Sequence, residues 1–249
     1  NVGYSTELFG KDNHADRLIT YAASFGNTTL EKLKKYKKAD EVGNLLKRFN
    51  AISVRDANSG SIVEQLTGEK PVYNLDPVLT YDYMNCCDRI PQIDATERYL
   101  ILYAYAGRIS NDEADWIAEY AKKKNLKVYA IGGIQKCADC FIDCSPFEVL
   151  AYFRNAEEVI TDTFHGSIFS VITHRPFTTL IRKSVGNSYG NEEKLSDLLN
   201  SLGLTERTTT KVEDAERINQ QPIDDEKVDD VLQKQRKIAK AYLCKSIGE

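Results

Sequence analysis

Short apolar segments alternate with single helical segments along most of this chain, and this order restricts the possible folds more than any other feature of the sequence. In the second half, strands are predicted at 99–104, 127–131, 158–161 and 177–181, with helices at 111–123, 146–154 and 194–202. Strands joined by single helices pair in parallel, through right-handed crossovers. We therefore predict the α/β fold class, with two Rossmann-like doubly wound lobes.

The first half shows the same alternation with shorter elements. Strands are predicted at 17–25, 50–54 and 71–75, with helices at 29–38, at 40–49 and from Ser59 or Ser61 to Leu66. Residues 80–96 have no clear periodicity and mark a boundary. We predict a partial N-terminal lobe at 1–85, a C-terminal lobe at 96–222, and a closing helix at 223–249 that packs back on the first lobe. The C-terminal lobe ends in a predicted loop at 205–222.

Composition excludes several classes of protein. The chain has 249 residues, of which 42% are hydrophobic and 28% are charged. Its net charge of −4 does not favour binding to nucleic acid. No apolar run approaches the roughly 20 residues that a transmembrane segment needs. Six cysteines are too few for a disulfide scaffold in a chain of this length, which favours reduced thiols in a cytoplasmic enzyme.

The segment 161–170 combines several features of an anion-binding site. An apolar strand ends at its first residue, residues 162–165 form a predicted turn, and a helix is predicted at 167–173. In open α/β sheets, ligands bind at the carboxyl ends of strands. A helix start presents free N–H groups and a partial positive charge, and Gly166 has no side chain to keep a ligand from the backbone. His165 can hold or donate a proton near neutral pH, so we predict that it is the catalytic residue.

Each residue of this segment also has a purely structural interpretation. His165 could cap the turn and Gly166 could serve packing alone. Asp162 could cap the helix or orient His165, and Thr163 and Ser167 could bind a ligand or cap the helix. The position of His165 at a strand end, where this fold class binds ligands, favours the functional interpretation.

A second candidate lies in the first lobe, where Ser53-Val-Arg55-Asp56 ends a predicted strand. Arginine offers a planar fork of donors that matches a carboxylate or a phosphate. Two facing lobes would bring Arg55 towards a cleft that His165 lines. The alternative is an ion pair between Arg55 and Asp56 at the surface.

Several segments resemble, in the same order, those of the polysaccharide pyruvyl transferase family. The matching segments are Tyr21–Gly26, Ile52–Asp56, Asp76–Val78, Val159–Gly166, Phe169–Ser170, Pro176–Phe177 and Lys194–Leu204. With the residues that flank them they cover 17–204, most of the chain. The resemblance implies a GT-B-like fold, in which two Rossmann-like lobes surround a cleft.

The same resemblance implies an activity, the transfer of a pyruvyl group from phosphoenolpyruvate to a sugar of a polysaccharide or its precursor, which forms a cyclic ketal. His165 matches the family's essential histidine, and Arg55 matches an arginine associated with donor binding. Substrate-binding roles follow for the residues beside them, which are Ser53, Thr163, Phe164, Gly166 and Ser167. Neither a metal nor a cofactor is implied beyond the phosphoenolpyruvate donor. The acceptor would be a sugar or a lipid-linked glycan, which allows peripheral association with a membrane.

The start of the chain departs from the family pattern. Members usually carry a longer segment before the one that Tyr21–Gly26 matches. We therefore expect the first lobe to be an incomplete sheet, and the acceptor-binding residues of that region cannot be named.

Two related functions compete with this interpretation. A GT-B glycosyltransferase that uses a nucleotide sugar would share the fold and the His-Gly turn. It would need a carboxylate near the end of the helix after His165, and residues 166–175 contain neither Asp nor Glu. A non-catalytic relative that only binds glycan is disfavoured by the presence of both His165 and Arg55.

A metal-binding interaction module is a third alternative, from a different class. Cys137, Cys140 and Cys144 form a C-x₂-C-x₃-C run, which Cys86 or Cys87 could complete. We favour free thiols in a loop, because only one close cluster exists and the fourth ligand is distant in sequence.

Overall fold

The computed structural model describes residues 4–93, 96–183 and 191–248. It divides into two compact units, Asn1–Thr80 with Asp230–Glu249 and Tyr81–Asp229. Parts of the predicted domains and of their boundary lie outside the described residues, at 1–3, 94–95, 184–190 and 249. Parallel strands joined by helices occur in both units, which confirms the predicted α/β class.

The first unit consists of short elements around a small apolar core. The helices and strands in its N-terminal segment are α1 (Leu30–Lys35), α2 (Ala39–Leu46), β1 (Ser53–Val54), α3 (Ala57–Thr67) and β2 (Val72–Tyr73). β1 and β2 pair in parallel, with Ser53 opposite Val72. The core lies between α2, α3 and β1, where Val42, Val54 and Ile62 are almost completely buried.

Two predictions for the first unit are wrong. The segment 17–25 is not a strand; it makes only isolated bridges, at Ile19 and Ala23. Ala22 interrupts the extended backbone because it adopts the left-handed region, with a φ of 47°. Helix α3 begins before Ser59, because the carboxylate of Asp56 accepts a hydrogen bond from the Ser59 N–H at 2.8 Å and caps the helix.

A six-stranded parallel sheet forms the second unit. Its strands are β3 (Tyr99–Tyr103), β4 (Lys127–Ile131), β5 (Cys140–Phe141), β6 (Glu158–Thr161), β7 (Phe177–Leu180) and β8 (Thr208–Thr209). Their order across the sheet is β5-β4-β3-β6-β7-β8. The chain therefore moves outwards from β3 in one direction, returns to β6 on the other side of β3, and continues in the opposite direction. Open α/β sheets bind ligands at such a reversal, outside the carboxyl ends of the strands.

Helices cover this sheet, and local sequence fixes where several of them begin. They are α4 (Tyr83–Cys86), α5 (Asn111–Lys123), α6 (Pro146–Asn155), α7 (Phe164–Ile172), α8 (Glu192–Ser201) and α9 (Ala215–Gln220). α5 and α6 both start with a capping box, Ser110 with Glu113 and Ser145 with Glu148. The central strands are buried, and Leu100, Leu102 and Ile160 pack with Ile117 of α5 in the core. Burial of both faces explains why these strands read as continuous apolar runs.

The segment 205–222 is not the predicted loop, because it contains β8 and α9. A two-residue strand and a short helix are too brief to produce a clear periodicity. Arg207 holds this segment together from a fully buried position. Its guanidinium donates hydrogen bonds to the carbonyl oxygens of Ile218, Gln221 and Pro222 at 2.7–2.8 Å.

A last helix, α10, spans Asp225–Ile247. Within the first unit, the Tyr242 hydroxyl donates a hydrogen bond to the Thr20 carbonyl oxygen at 2.7 Å, and Arg236 Nε donates one to the Leu79 carbonyl oxygen at 2.9 Å. Among the helices of the described residues, none combines the length and the apolar character required to cross a membrane.

Candidate active site

The predicted strand-to-helix turn is present at 161–166, but the helix begins earlier than predicted. β6 ends at Thr161 and α7 begins at Phe164, so His165 lies in the first helical turn and not in a preceding loop. Thr163 causes the early start. Its backbone is extended, and its Oγ1 accepts a hydrogen bond from the Gly166 N–H at 2.9 Å. Thr163 is therefore the helix cap, a role that the sequence also allowed for Asp162.

Buried hydroxyl groups connect this turn to the neighbouring strands. Thr161 Oγ1 donates to the Tyr103 carbonyl oxygen of β3 at 2.7 Å and accepts from the Thr163 N–H at 3.0 Å. Ser167 Oγ lies 3.2 Å from the Thr163 carbonyl oxygen and 2.9 Å from Thr179 Oγ1 of β7. The hydroxyl groups of Thr163 and Ser167 thus have partners within the protein, and their predicted contact with substrate stays a prediction.

Gly166 is required by close packing. A Cβ at this position would lie 2.1 Å from Thr161 Oγ1 and 2.7 Å from Thr163 Oγ1. Real side chains do not tolerate such distances, so any other residue would displace the helix start from the end of β6. The structure thus supplies a packing reason for this glycine, beside the predicted approach of a ligand.

His165 is half-buried among aromatic rings. Its ring centroid lies 5.7 Å from that of Phe164 and 6.0 Å from that of Phe169, one turn further along α7. Phe169 is itself stacked on Tyr103 at the end of β3, with centroids 6.2 Å apart. These contacts restrict the imidazole to the carboxyl end of the sheet, beside the reversal between β3 and β6, where it can exchange a proton with a bound ligand.

A group of charged side chains lies next to this turn. Asp162 is fully buried, and Arg108 Nη1 lies 3.6 Å and Arg182 Nε lies 4.0 Å from its Oδ2. Arg182 Nη1 also donates a hydrogen bond to Glu113 Oε1 at 2.6 Å. Burial raises the pKa of Asp162 above its usual value, although both arginines oppose this effect.

Sequence reasoning missed most of this group. Arg108, Glu113 and Arg182 are not among the site residues that the sequence predicts. The sequence did contain a signal for the two arginines, because each follows the carboxyl end of a predicted strand, Arg108 after β3 and Arg182 after β7. What could not be read from the sequence is that β3, β6 and β7 are neighbours in the sheet.

Asn191 is a second residue that sequence reasoning missed. Its buried side-chain amide donates hydrogen bonds to the carbonyl oxygens of Asp162 at 2.6 Å and Leu180 at 3.1 Å. Its Oδ1 accepts from the Arg182 N–H at 2.6 Å. Asn191 therefore ties the ends of β6 and β7 together and fixes the backbone beside the charged group.

In the first unit, Arg55 follows β1 and forms an ion pair with Asp76. The Asp76 side chain is buried, while that of Arg55 is about one quarter exposed. The alternative pair of Arg55 with Asp56 is wrong, because Asp56 caps α3. The guanidinium of Arg55 is thus anchored on one side by a buried carboxylate, and its side chain remains partly exposed.

Ser53 supports the same strand end from inside. It is fully buried, and its Oγ accepts hydrogen bonds from the Ala22 N–H at 3.1 Å and from Asn74 Nδ2 at 2.7 Å. Its predicted role in substrate binding stays a prediction. Arg55 and His165 belong to different units, so their predicted pairing across a cleft also stays a prediction.

The cysteines that suggested a metal site are free thiols. In the described part of the chain, no three or more His, Cys, Asp or Glu side chains are grouped so that they could hold a metal ion. Burial raises the pKa of Cys137 and raises that of Cys144 to about 11.

Comparison with solved structures gives weak matches. The glycotransferase of kitacinnamycin has a TM-score of 0.47 and 10% identity, over 83% of this chain and 59% of that one. A protein assigned as a UDP-N-acetylglucosamine 2-epimerase from Listeria monocytogenes has a TM-score of 0.43 and 10% identity, over 91% and 74%. A Phytolacca americana enzyme complexed with UDP-2fluoro-glucose and pterostilbene has a TM-score of 0.41 and 12% identity, over 83% and 51%. The chain thus spans only 59% of the length of the kitacinnamycin glycotransferase and 51% of the length of the Phytolacca americana enzyme.

A comparison with curated proteins finds no matching sequence. The family model of polysaccharide pyruvyl transferases, in contrast, matches residues 3–184, which is most of the chain. The matched range contains Arg55, His165 and the strand-to-helix turn of the second unit. On this match, the chain belongs to the polysaccharide pyruvyl transferase family.

Proposed function

We propose that this protein transfers a pyruvyl group from phosphoenolpyruvate to a sugar of a polysaccharide or its precursor and forms a cyclic ketal. Family membership supports a transferase of this kind. The observation that carries the proposal is the half-buried His165 in the first turn of α7, at the carboxyl end of β6. This is the position where an open α/β sheet presents a group to its ligand.

The reaction places three demands on a protein. Phosphoenolpyruvate carries a phosphate, a carboxylate and a carbon–carbon double bond. Protonation of its methylene carbon gives a methyl group and an oxocarbenium-like centre, which one sugar hydroxyl attacks. A second hydroxyl then displaces phosphate, so that two carbon–oxygen bonds to the sugar form and the bond to phosphate breaks. The protein must therefore supply one proton, accept those of the hydroxyl groups and bind two anionic groups.

His165 is assigned the proton transfer to the methylene carbon. Its ring is held between Phe164 and Phe169, so it can present one nitrogen in a fixed direction. Arg55 is assigned to an anionic group of the donor, since its guanidinium is anchored by the buried Asp76 and remains partly exposed. The N–H groups at the start of α7 add a partial positive charge for the second anion.

The test measures phosphate release from phosphoenolpyruvate with a panel of sugars that carry neighbouring free hydroxyl groups. His165→Ala should lower the rate by about 10²–10⁴-fold, the usual contribution of a positioned acid or base. His174→Asn is the matched control, because His174 is exposed, pairs with Asp229 and has a φ of 52°, which asparagine tolerates.

Near-normal turnover of His165→Ala would overturn its assigned role. Titration of the wild type with phosphoenolpyruvate and with a UDP-sugar separates the proposal from its rival. Binding of the UDP-sugar alone would favour a nucleotide-sugar glycosyltransferase.

A further inference from the structure

Three charged side chains meet at the carboxyl edge of the sheet in the second unit. Arg108 follows β3, Asp162 follows β6 and Arg182 follows β7, and these strands are neighbours. The two arginines lie 3.6 Å and 4.0 Å from the same carboxylate oxygen, Oδ2 of Asp162. We call Arg108, Arg182 and Asp162 the arginine cluster. The cluster lies beside the reversal of strand order, and its Asp162 comes just before α7 in the sequence.

Both ion pairs within the cluster are long. Direct arginine–carboxylate hydrogen bonds have lengths of about 2.7–2.9 Å, which both distances exceed. Asp162 is fully buried, yet among the described residues neither of its carboxylate oxygens has a hydrogen-bond partner. Within the same part of the chain, Nε and Nη2 of Arg182 also lack one. Buried polar groups are nearly always hydrogen-bonded, and exceptions occur at catalytic and ion-binding sites.

The position of Arg182 is fixed from two sides. Glu113 accepts the hydrogen bond from its Nη1 through Oε1, while Oε2 of the same carboxylate accepts from the Ser110 N–H and caps α5. Asn191 holds the Arg182 backbone, because its Oδ1 accepts a hydrogen bond from the Arg182 N–H at 2.6 Å and its own N–H donates one to the Arg182 carbonyl oxygen at 2.9 Å. Such restraint lowers the entropy cost of binding a ligand, because the side chain is already ordered.

Both arginines also reach the surface. The side chain of Arg108 is 24% exposed and that of Arg182 is 22% exposed, whereas Asp162 beneath them is completely buried. The guanidinium of Arg108 lies over the ring of the exposed Tyr105, 5.0 Å from its centroid. Nε and Nη2 of Arg182 are themselves buried, so a ligand at this edge of the sheet would meet the exposed parts of the two side chains first and engage these nitrogen atoms as it enters.

We propose that Arg108 and Arg182 bind an anionic oxygen group of the substrate, a phosphate or a carboxylate, at this edge of the sheet. Planar guanidinium groups match both of these anions. Asp162 offsets the mutual repulsion of the two arginines, and the positive end of α7 adds to the attraction. That the anion belongs to phosphoenolpyruvate rests on the proposed function; the anion site itself does not.

The experiment is calorimetric titration of the whole chain with inorganic phosphate, pyruvate and phosphoenolpyruvate. Phosphate and pyruvate each carry one of the two anionic groups, so their comparison shows which group the arginines bind. Arg108→Gln and Arg182→Gln should each weaken binding of that group about tenfold or more, the usual effect of losing a hydrogen bond to a charged group.

Arg175→Gln is the matched control. Arg175 precedes β7, whereas Arg182 follows it, so the two arginines lie at opposite ends of one strand. Its substitution should leave all three affinities unchanged. If Arg182→Gln does not fold, as judged by its thermal melting, Arg108→Gln decides the test, because Arg108 lies outside the helices and strands.

The outcomes separate this inference from the proposed function. Arginine-dependent binding without phosphate release from phosphoenolpyruvate would support the anion site and contradict the proposed function. Wild-type affinities in both arginine variants, or a wild type that binds none of the three probes, would overturn the anion site.

Discussion

At the residue scale, the hydroxyl groups of Thr161 and Thr163 and the absence of a side chain at Gly166 determine the shape of the 161–166 turn. Thr161 Oγ1 and Thr163 Oγ1 lie 3.0 Å apart and occupy the space that a Cβ at position 166 would enter. Both belong to fully buried or nearly buried residues, so they cannot move away easily. The position of His165 therefore depends on its neighbour being glycine.

We expect Gly166→Ala to lower the free energy of unfolding by about 1–3 kcal/mol, because overpacking shifts the surrounding backbone. The rate of phosphate release should fall as well, since His165 moves with the helix start. Urea unfolding and the release assay measure the two effects.

Gly60→Ala is the control for this substitution. Gly60 also lies inside a helix, but its Cβ would meet the hydroxyl tip of Tyr73, a side chain that is 53% exposed and can turn away. Alanine gains roughly 0.5–1 kcal/mol over glycine inside a helix, so this variant should be neutral or stabilised. Equal stability of Gly166→Ala and the wild type would contradict the packing argument.

The start of α7 is the feature that matters most at the scale of elements. Its cap, Thr163, also contacts Thr161, and Thr161 bonds to β3. Loss of the cap would thus release the first helical turn, which carries His165, from the sheet. α6 offers a comparison, because it is capped by Ser145 in the same unit and does not carry His165.

Thr163→Ala and Ser145→Ala should each lower the free energy of unfolding by about 0.5–2 kcal/mol, the range for loss of an N-terminal cap. Only Thr163→Ala should also lower the rate of phosphate release. Thr163→Ser keeps the oxygen that accepts from the Gly166 N–H and should restore most of both properties. Equal activity of the two alanine variants would show that the helix start does not position the catalytic group.

At the scale of the whole molecule, charge links elements that are far apart in sequence. Glu113 joins the start of α5 to Arg182 after β7. Burial acts to raise the pKa of Glu113, but hydrogen bonds from Arg182 and Ser110 outweigh it and leave this pKa below its usual value of 4.5. The folded state therefore takes up a proton at Glu113 less readily than the unfolded state does.

The stabilisation from Glu113 should be complete above pH 4.5 and lost as the pH falls through the lowered pKa. Glu113→Gln lacks this titration but can keep the capping box. We expect a lower free energy of unfolding at pH 7 and a smaller decrease between pH 7 and pH 3, both measured by urea unfolding.

Asp162 contributes with the opposite sign, because burial raises its pKa, and its contribution is lost as the pH rises through that pKa. The charge of Glu113 makes the smallest contribution to this raised pKa, so the difference between Glu113→Gln and the wild type reports mainly Glu113 itself. Glu216→Gln, which removes an exposed partner of Lys123, is the control and should change stability little. An unchanged pH dependence in Glu113→Gln would contradict the assigned link.

Local sequence alone determined most elements of the second unit and the family of the chain. Helix α5 was predicted with its observed bounds, because acidic residues in its first turn and lysines in its last turn are a local signal. The predicted strands at 127–131 and 158–161 also have their observed bounds. Short elements such as β8, and the interruption at Ala22, were missed because few residues carry too little periodic signal.

The tertiary structure decided which charged groups meet. Arg55 pairs with the buried Asp76, which is distant in sequence, whereas the adjacent Asp56 caps α3. Arg108 and Arg182 lie beside Asp162 only because β3, β6 and β7 are neighbours. A sequence fixes the backbone preferences of adjacent residues, whereas the order of strands in a sheet depends on contacts between distant segments. The histidine of the turn could thus be found from the sequence, but the arginines around it became visible only in the folded sheet.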